Sequence, residues 1–404
     1  MTRLLLLPLL AVAACGSGND KPSFYAISLT TPDNTFWAPT IHVGGQSFVM
    51  DLDTGSTTTA IAGTACTTCS NVSPEYMPGS KAVDQNESAS TEYADGTGWM
   101  GEIYEDTINL GSGSPDAMFN LVDISTQVVS GGIEGFFDGS NDYQGILGMG
   151  PPENAEPNTG AYFDTITSPT MGGVDPVMAF ELCEDGGTMW LGGFDETHAQ
   201  AAMQYTPMLP ISNNNAFYSL DITSMSLNGT VVGMGSDDFE EPVLDTGTTF
   251  MYLPTNVAQA LGDAINTAAA QAFSGQSFDV EAENVSCVQA SGITDDMVDS
   301  MMPPLVFSVP SMGSGADISF SVPALESYLF DGGDGQYCLG VGDGGTDFGG
   351  VLGDQFLQGF VTVMDVGNSQ IGLALDKGCS ASASKRRTRD MTTFHPHRPK
   401  PRRK

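Results

Sequence analysis

Positive charge is nearly missing from this chain. Its 404 residues hold 13 Lys and Arg against 49 Asp and Glu. Nine of the basic residues fall after Ala383, at Lys385, Arg386, Arg387, Arg389, Arg398, Lys400, Arg402, Arg403 and Lys404, and Arg3 and Lys21 lie near the start. Only Lys81 and Lys377 remain for everything between. So acidic a body repels phosphate backbones and anionic lipid, which argues against nucleic acid as its partner. The imbalance fits either a salty medium or work in acid, where carboxylates lose charge and few bases remain to repel one another. Histidine is scarce, and His42 and His198 stand isolated, with no triad or metal pattern around them. The acidic glycine turns Asp331-Gly332-Gly333-Asp334 and Asp343-Gly344-Gly345-Thr346-Asp347 lack the ligand spacing of a calcium hand. No metal and no cofactor is expected.

Long apolar runs are also absent. The one run, Leu4 to Val12, is too short to span a bilayer. It follows Arg3 and closes on Ala13-Ala14-Cys15, which reads as a secretory signal over residues 1–15. Small residues directly before a cysteine resemble a bacterial lipoprotein signal. That resemblance implies cleavage before Cys15 and lipidation of it, with 16–23 as a polar tether to the cell envelope. The alternative is plain secretion. Six cysteines then remain, Cys66, Cys69, Cys183, Cys287, Cys338 and Cys379, and an even number in an exported chain reads as three disulfides. Spacing alone does not settle the pairing. A zinc or redox role for Cys66-Thr67-Thr68-Cys69 is disfavoured, since no second such pair or neighbouring histidine accompanies it. Asn71, Asn86, Asn228 and Asn284 open glycosylation sequons, which a bacterial chain need not use.

What is abundant is turn and strand. Glycine totals 49. Short runs rich in Val, Ile, Phe, Tyr and Thr alternate with Gly, Asp, Asn and Pro clusters, as at 24–29, 47–52, 102–110 and 360–365. One helix is predicted over 256–273, after Pro254 and Thr255, from Ala and Leu at helical spacing. The class is therefore all-β.

The chain also repeats itself. Leu52-Asp53-Thr54-Gly55-Ser56-Thr57 returns 192 residues later as Leu244-Asp245-Thr246-Gly247-Thr248-Thr249. Each copy follows an apolar strand and precedes a second echo, Gly145-Ile146-Leu147-Gly148 and Gly350-Val351-Leu352-Gly353. Two halves with the same order of parts predict two similar lobes facing each other, an N-terminal one over 24–208 and a C-terminal one over 209–380. The tail, 381–404, lacks apolar periodicity, carries the basic cluster and reads as disordered.

Asp-x-Gly alone is ordinary turn chemistry. Two copies at matching places mean more. Glycine lets two backbones approach closely. Thr54 and Thr246 can each hydrogen-bond across to the opposite loop. Asp53 and Asp245 then meet, and two carboxylates that close share a proton. Such a pair serves as base and acid together, and Ser56 and Thr248 supply hydroxyls for the outer carboxylate oxygens.

With these residues in hand, the chain resembles the pepsin family of aspartic peptidases, bacterial homologues included, over nearly all of 24–380. The resemblance implies a bilobal β fold with a long cleft and Asp53 and Asp245 as catalytic residues. It also implies an aspartic endopeptidase, monomeric, acting on polypeptides bound extended across the cleft. Tyr93-Ala94-Asp95-Gly96-Thr97 resembles the flap hairpin, so Tyr93, Gly96 and Thr97 are expected over the substrate. Trp190 to Asp195, Leu352 to Phe356 and Ile371 to Ala374 resemble further family signatures. The resemblance implies disulfides Cys66–Cys69 and Cys287–Cys338, and a long-range pair Cys183–Cys379 like that of the memapsin branch. One departure stands out. The family's tryptophan soon after the first motif, partner of the flap tyrosine, is missing from Thr57-Thr58-Thr59-Ala60-Ile61, which leaves a looser flap or Trp99 in its place. No inhibitory propeptide is legible before residue 24. The competing reading is a catalytically silent peptide-binding protein on the same scaffold.

Overall fold

The computed structural model describes residues 24–377, apart from 32–35, 70, 94–96, 112, 130–136, 138–142, 172, 213–215, 281–284, 314 and 347–349. Cys15, Gly96, Cys379 and the basic tail therefore lie outside the described residues.

Strands dominate. The predicted run at 360–365 is the strand Phe360–Asp365, and 24–29 and 47–52 become Tyr25–Thr30 and Gln46–Asp53. The run at 102–110 is much longer than its apolar pattern suggested, Thr97–Asn109, because its first residues pair across a hairpin with Val83–Glu92 and with Ala117–Val129. The helix runs Thr255–Ala272. It buries Val257, Ala258, Leu261, Ile265, Ala269 and Ala272, one stripe at helical spacing, and leaves Gln259 and Asp263 on the outer side. It ends where Phe273 turns to φ −116°, ψ 35°, tucking its ring against Phe278 and Tyr337.

Strands from the two ends of the sequence share one sheet. Gln204–Pro207, Gln370–Leu375, Phe360–Asp365, Val177–Cys183, Gly186–Leu191 and Tyr25–Thr30 lie side by side, each antiparallel to the next. Above this floor each repeat builds the same local unit. Gln46–Asp53 runs parallel to Gly145–Gly148, with Asp53 opposite Gly148. Val243–Leu244 likewise runs parallel to Val351–Leu352. The sequence echo is thus a pairing partner: the second apolar segment of each half closes the sheet beside the motif strand. Each motif strand turns an apolar face into the main core, through Phe48, Met50 and Leu52 in the first copy and Leu244 in the second, with Met50, Leu52 and Leu244 fully buried.

Cys66 and Cys69 are bonded, as are Cys287 and Cys338, which sit opposite each other on paired strands. Cys183 is also disulfide-bonded.

Candidate functional site

Asp53 is the last residue of its strand, and the turn after it is tied back at both ends. The Met149 amide donates to the Asp53 carbonyl (2.7 Å) and the Gly150 amide to that of Ser56 (2.8 Å). In the second copy the Asp245 amide donates to the Leu352 carbonyl (3.2 Å) and the Asp354 amide to that of Thr248 (2.8 Å). Each aspartate is therefore clamped by the echo segment of its own half.

The two threonines join the halves. The Thr54 hydroxyl donates to the Leu244 carbonyl (2.9 Å) and accepts from the Thr246 amide (3.0 Å). The Thr246 hydroxyl donates to the Leu52 carbonyl (2.6 Å) and accepts from the Thr54 amide (3.1 Å). Both side chains are wholly buried. A hydroxyl is the smallest group that can donate and accept at once, so Thr satisfies four backbone groups that burial would otherwise leave unpaired. Glycine completes the approach. A Cβ on Gly55 would strike the Asp245 carboxyl, and one on Gly247 would strike that of Asp53.

The carboxyls are hydrogen-bonded to each other and buried, at 7% and 6% exposure. One oxygen of Asp53 accepts the amides of Gly55 (2.8 Å) and Ser56 (3.0 Å), and the other accepts the Ser56 hydroxyl. Asp245 mirrors this, with the Gly247 amide (2.9 Å) on one oxygen and the Thr248 hydroxyl (2.7 Å) on the other. Burial pushes both carboxyls above the ordinary range. For Asp53 the charge of Asp245 adds to burial, while Ser56 and Gly55 pull the other way; for Asp245, hydrogen bonds from Thr248 and Gly247 oppose burial. Magnitude decides the outcome. Two unit charges about 4 Å apart at an effective dielectric near 20 repel by about 4 kcal/mol. A neutral donor contributes only about 1 kcal/mol net. The pair therefore keeps one proton well into mild acid and titrates as a unit.

Tyr93 follows directly on the strand Val83–Glu92, and its amide donates to the Thr97 carbonyl (2.7 Å) across the hairpin. Thr97, at the head of the returning strand, is buried. The indole N–H of Trp99 donates to the Tyr93 hydroxyl (2.8 Å). Trp99 is itself buried, packed in a cluster with Phe36, Ala62, Ile103, Ile124 and Ile146. Of the two readings left open by the missing tryptophan, this geometry corresponds to Trp99 in its place, supplied from the hairpin itself.

Sequence reasoning passed over Asn154, whose side-chain amide donates to the Gly55 carbonyl (3.3 Å), and Thr57, whose hydroxyl donates to the Pro151 carbonyl (2.7 Å). Both brace the first motif against the loop after Gly148, and the only available signal was their nearness to the two repeats. His42 bonds Ser47 and His198 bonds Glu181, and neither is near the dyad contacts. Asp331 and Asp343 accept the amides two residues on, Gly333 and Gly345, which is turn chemistry. Among the described residues no cluster of acidic, cysteine or histidine side chains could hold a metal ion.

A family profile described as Eukaryotic aspartyl protease matches residues 37–376. An aspartic protease of Phaffia rhodozyma is 27% identical over 351 residues, covering 84% of this chain and 76% of that protein. Rhizopuspepsin of Rhizopus chinensis is 27% identical over 377 residues, covering 88% and 79%. A beta-secretase of Strongylocentrotus purpuratus is 25% identical over 360 residues, covering 80% and 63%.

Proposed function

Because the chain belongs to the eukaryotic aspartyl protease family and has its bilobal pepsin-like fold, we propose that it is an aspartic endopeptidase with Asp53 and Asp245 as the catalytic pair. One observation carries the reading: the Thr54–Thr246 lattice holds two buried carboxyls against each other, and so close a pair favours one shared proton. A water between them loses a proton to the ionised carboxylate as it attacks the scissile carbonyl carbon. The protonated carboxyl gives its proton to the carbonyl oxygen, and the tetrahedral diol forms. Collapse breaks the C–N bond, with a proton passing to the leaving nitrogen, and the pair regains its starting protonation. Disulfide bonds and the N-terminal apolar run support export.

The test is cleavage of an unfolded protein at several pH values, with and without a transition-state peptide of the pepstatin type. Cleavage in acid that the peptide abolishes is expected. Tight peptide binding without cleavage at any pH would instead make the chain a silent binding protein.

Trp99 should act through Tyr93. Trp99→Phe keeps an aromatic ring, though a smaller one, and removes the donor, a loss of about 1 kcal/mol, or roughly fivefold in kcat/KM. Tyr93→Phe should do the same, and the double variant should be no worse than either single one. Additive losses, or an unaffected Trp99→Phe, would show that the hydrogen bond does not position the flap.

A further inference from the structure

The hairpin that ends at the flap has a break in its ladder. Met100 pairs with Thr126 and Gly101 with Ile124, so Ser125 is an extra residue and the ribbon bends there. Gly101 lies so close that a Cβ would strike the Asp123 backbone. Immediately on the body side of this bulge, Asp123 points its carboxyl into the space that a side chain on Gly63 would fill. It is buried at 7% exposure, and one oxygen, Oδ1, has no hydrogen-bond partner.

The groups facing it are acidic or neutral on every side. Directly across on Thr97–Asn109 stands Glu102, exposed, and two residues on, Tyr104, half-buried. Tyr104 is opposite Asp84 on Val83–Glu92. On the far side Ile61 is the parallel neighbour, and Gly63 bridges to Tyr76, whose hydroxyl donates to Asp106 (2.8 Å). None of these strands carries a lysine, arginine or histidine; Lys81 lies just before Val83–Glu92 and is exposed, and His42 sits opposite Asn109, at the far end of the hairpin. Among the described residues, the tools for keeping a buried carboxylate charged, a cation or several donors, are missing around Asp123.

We propose that Asp123 is a pH sensor at the base of the flap, neutral where the enzyme works and, once ionised, loosening the bulge and with it the flap. Burial, then the charge of Glu102, raise its carboxyl to about 7. Its folded-state value lies above the unfolded one near 4, so the contribution is fully present in acid. It is lost as pH rises from about 4 to about 7. Burial of the charged form is then relieved by opening the strand that covers it. The bulge interrupts the ladder of that strand: Ser125 has no residue opposite it, and is tied by its carbonyl, which accepts the Thr67 amide (3.2 Å), and by its hydroxyl, which donates to the Met100 carbonyl (3.3 Å). The consequence is an enzyme that slackens in neutral surroundings.

This inference rests on the peptidase reading only in calling the hairpin a flap. Hydrogen exchange of the full chain, corrected for intrinsic pH dependence and read without substrate, therefore tests it separately. In the wild type, exchange over 97–106 and 117–127 should accelerate about tenfold more between pH 5 and 7.5 than in strands of the C-terminal half. Asp123→Asn should abolish that excess and leave kcat/KM at the acid optimum within about twofold. Glu102→Gln, which removes only the facing charge, should reduce the excess in the same direction and stands as the test if Asp123→Asn fails to fold. An excess that persists in Asp123→Asn, or one that is unchanged in Glu102→Gln where the first variant does not fold, overturns the proposal. Loosening without cleavage would keep the sensor and remove the peptidase.

Discussion

Asp53→Asn and Asp245→Asn should each lower kcat/KM by about 10⁴-fold or more, because general acid and general base each contribute roughly 10²–10⁴ and neither carboxyl can do both transfers. The double variant should be little worse than either single one, since the two act as a unit. The fold should survive. Asparagine keeps the shape: its oxygen can still accept the amides of Gly55 and Ser56, or of Gly247, while its NH2 donates to the Ser56 or Thr248 hydroxyl, which turns to accept. It also removes a buried group whose ionisation opposes folding near neutrality. Thermal midpoints at pH 7 should therefore stay level or rise. A single variant that retains peptidase activity at a tenth of wild type would end the assignment, since no other paired acids are held this way among the described residues.

Why the dyad was legible and its surroundings were not follows from how each is encoded. The aspartates, threonines and glycines are local words repeated in order, and the echo strands repeat with them. Two copies therefore predict a symmetric meeting before any coordinates exist. The helix was legible for a similar reason, with Val257, Leu261 and Ile265 at one period. Trp99 is different. Its partnership with Tyr93 depends on hairpin register, which Ala94, Asp95 and Gly96 do not spell out. Asp123 is harder still. In sequence it is one more acid among 49. Its burial comes from the absent side chain of Gly63, just past the neighbouring strand Ala60–Ala62, and its isolation from the exposure of Glu102 across the ladder. Those are facts of pairing, not of composition. The length of the Thr97–Asn109 strand was missed for the same cause, since half of it is stabilised by cross-strand partners and not by its own apolar pattern.

The pH profile should separate the chemistry from the acidic body. Catalysis requires one proton on the pair. Both carboxyls are raised by burial, so that proton leaves only above the ordinary carboxyl range, and kcat/KM should decline on the neutral side. The optimum should fall between about pH 3 and 5.5. Stability should move the same way. A raised folded-state value means the stabilising contribution is present in acid and lost as pH rises, and Asp53, Asp245 and Asp123 share that sign. The surface acids add repulsion as they ionise, with only Lys81 and Lys377 among residues 24–377 to offset them. Salt tells the two apart. At 1 M the screening length falls to about 3 Å, which quenches repulsion between exposed carboxylates and hardly touches buried ones. Thermal midpoints at pH 7 should therefore recover in high salt by the surface share alone, while the neutral limb of kcat/KM should stay in place. A limb that shifts with salt as far as the midpoint does would assign it to the body and not to the pair. An optimum at or above pH 7 at both salt concentrations would contradict the shared proton itself.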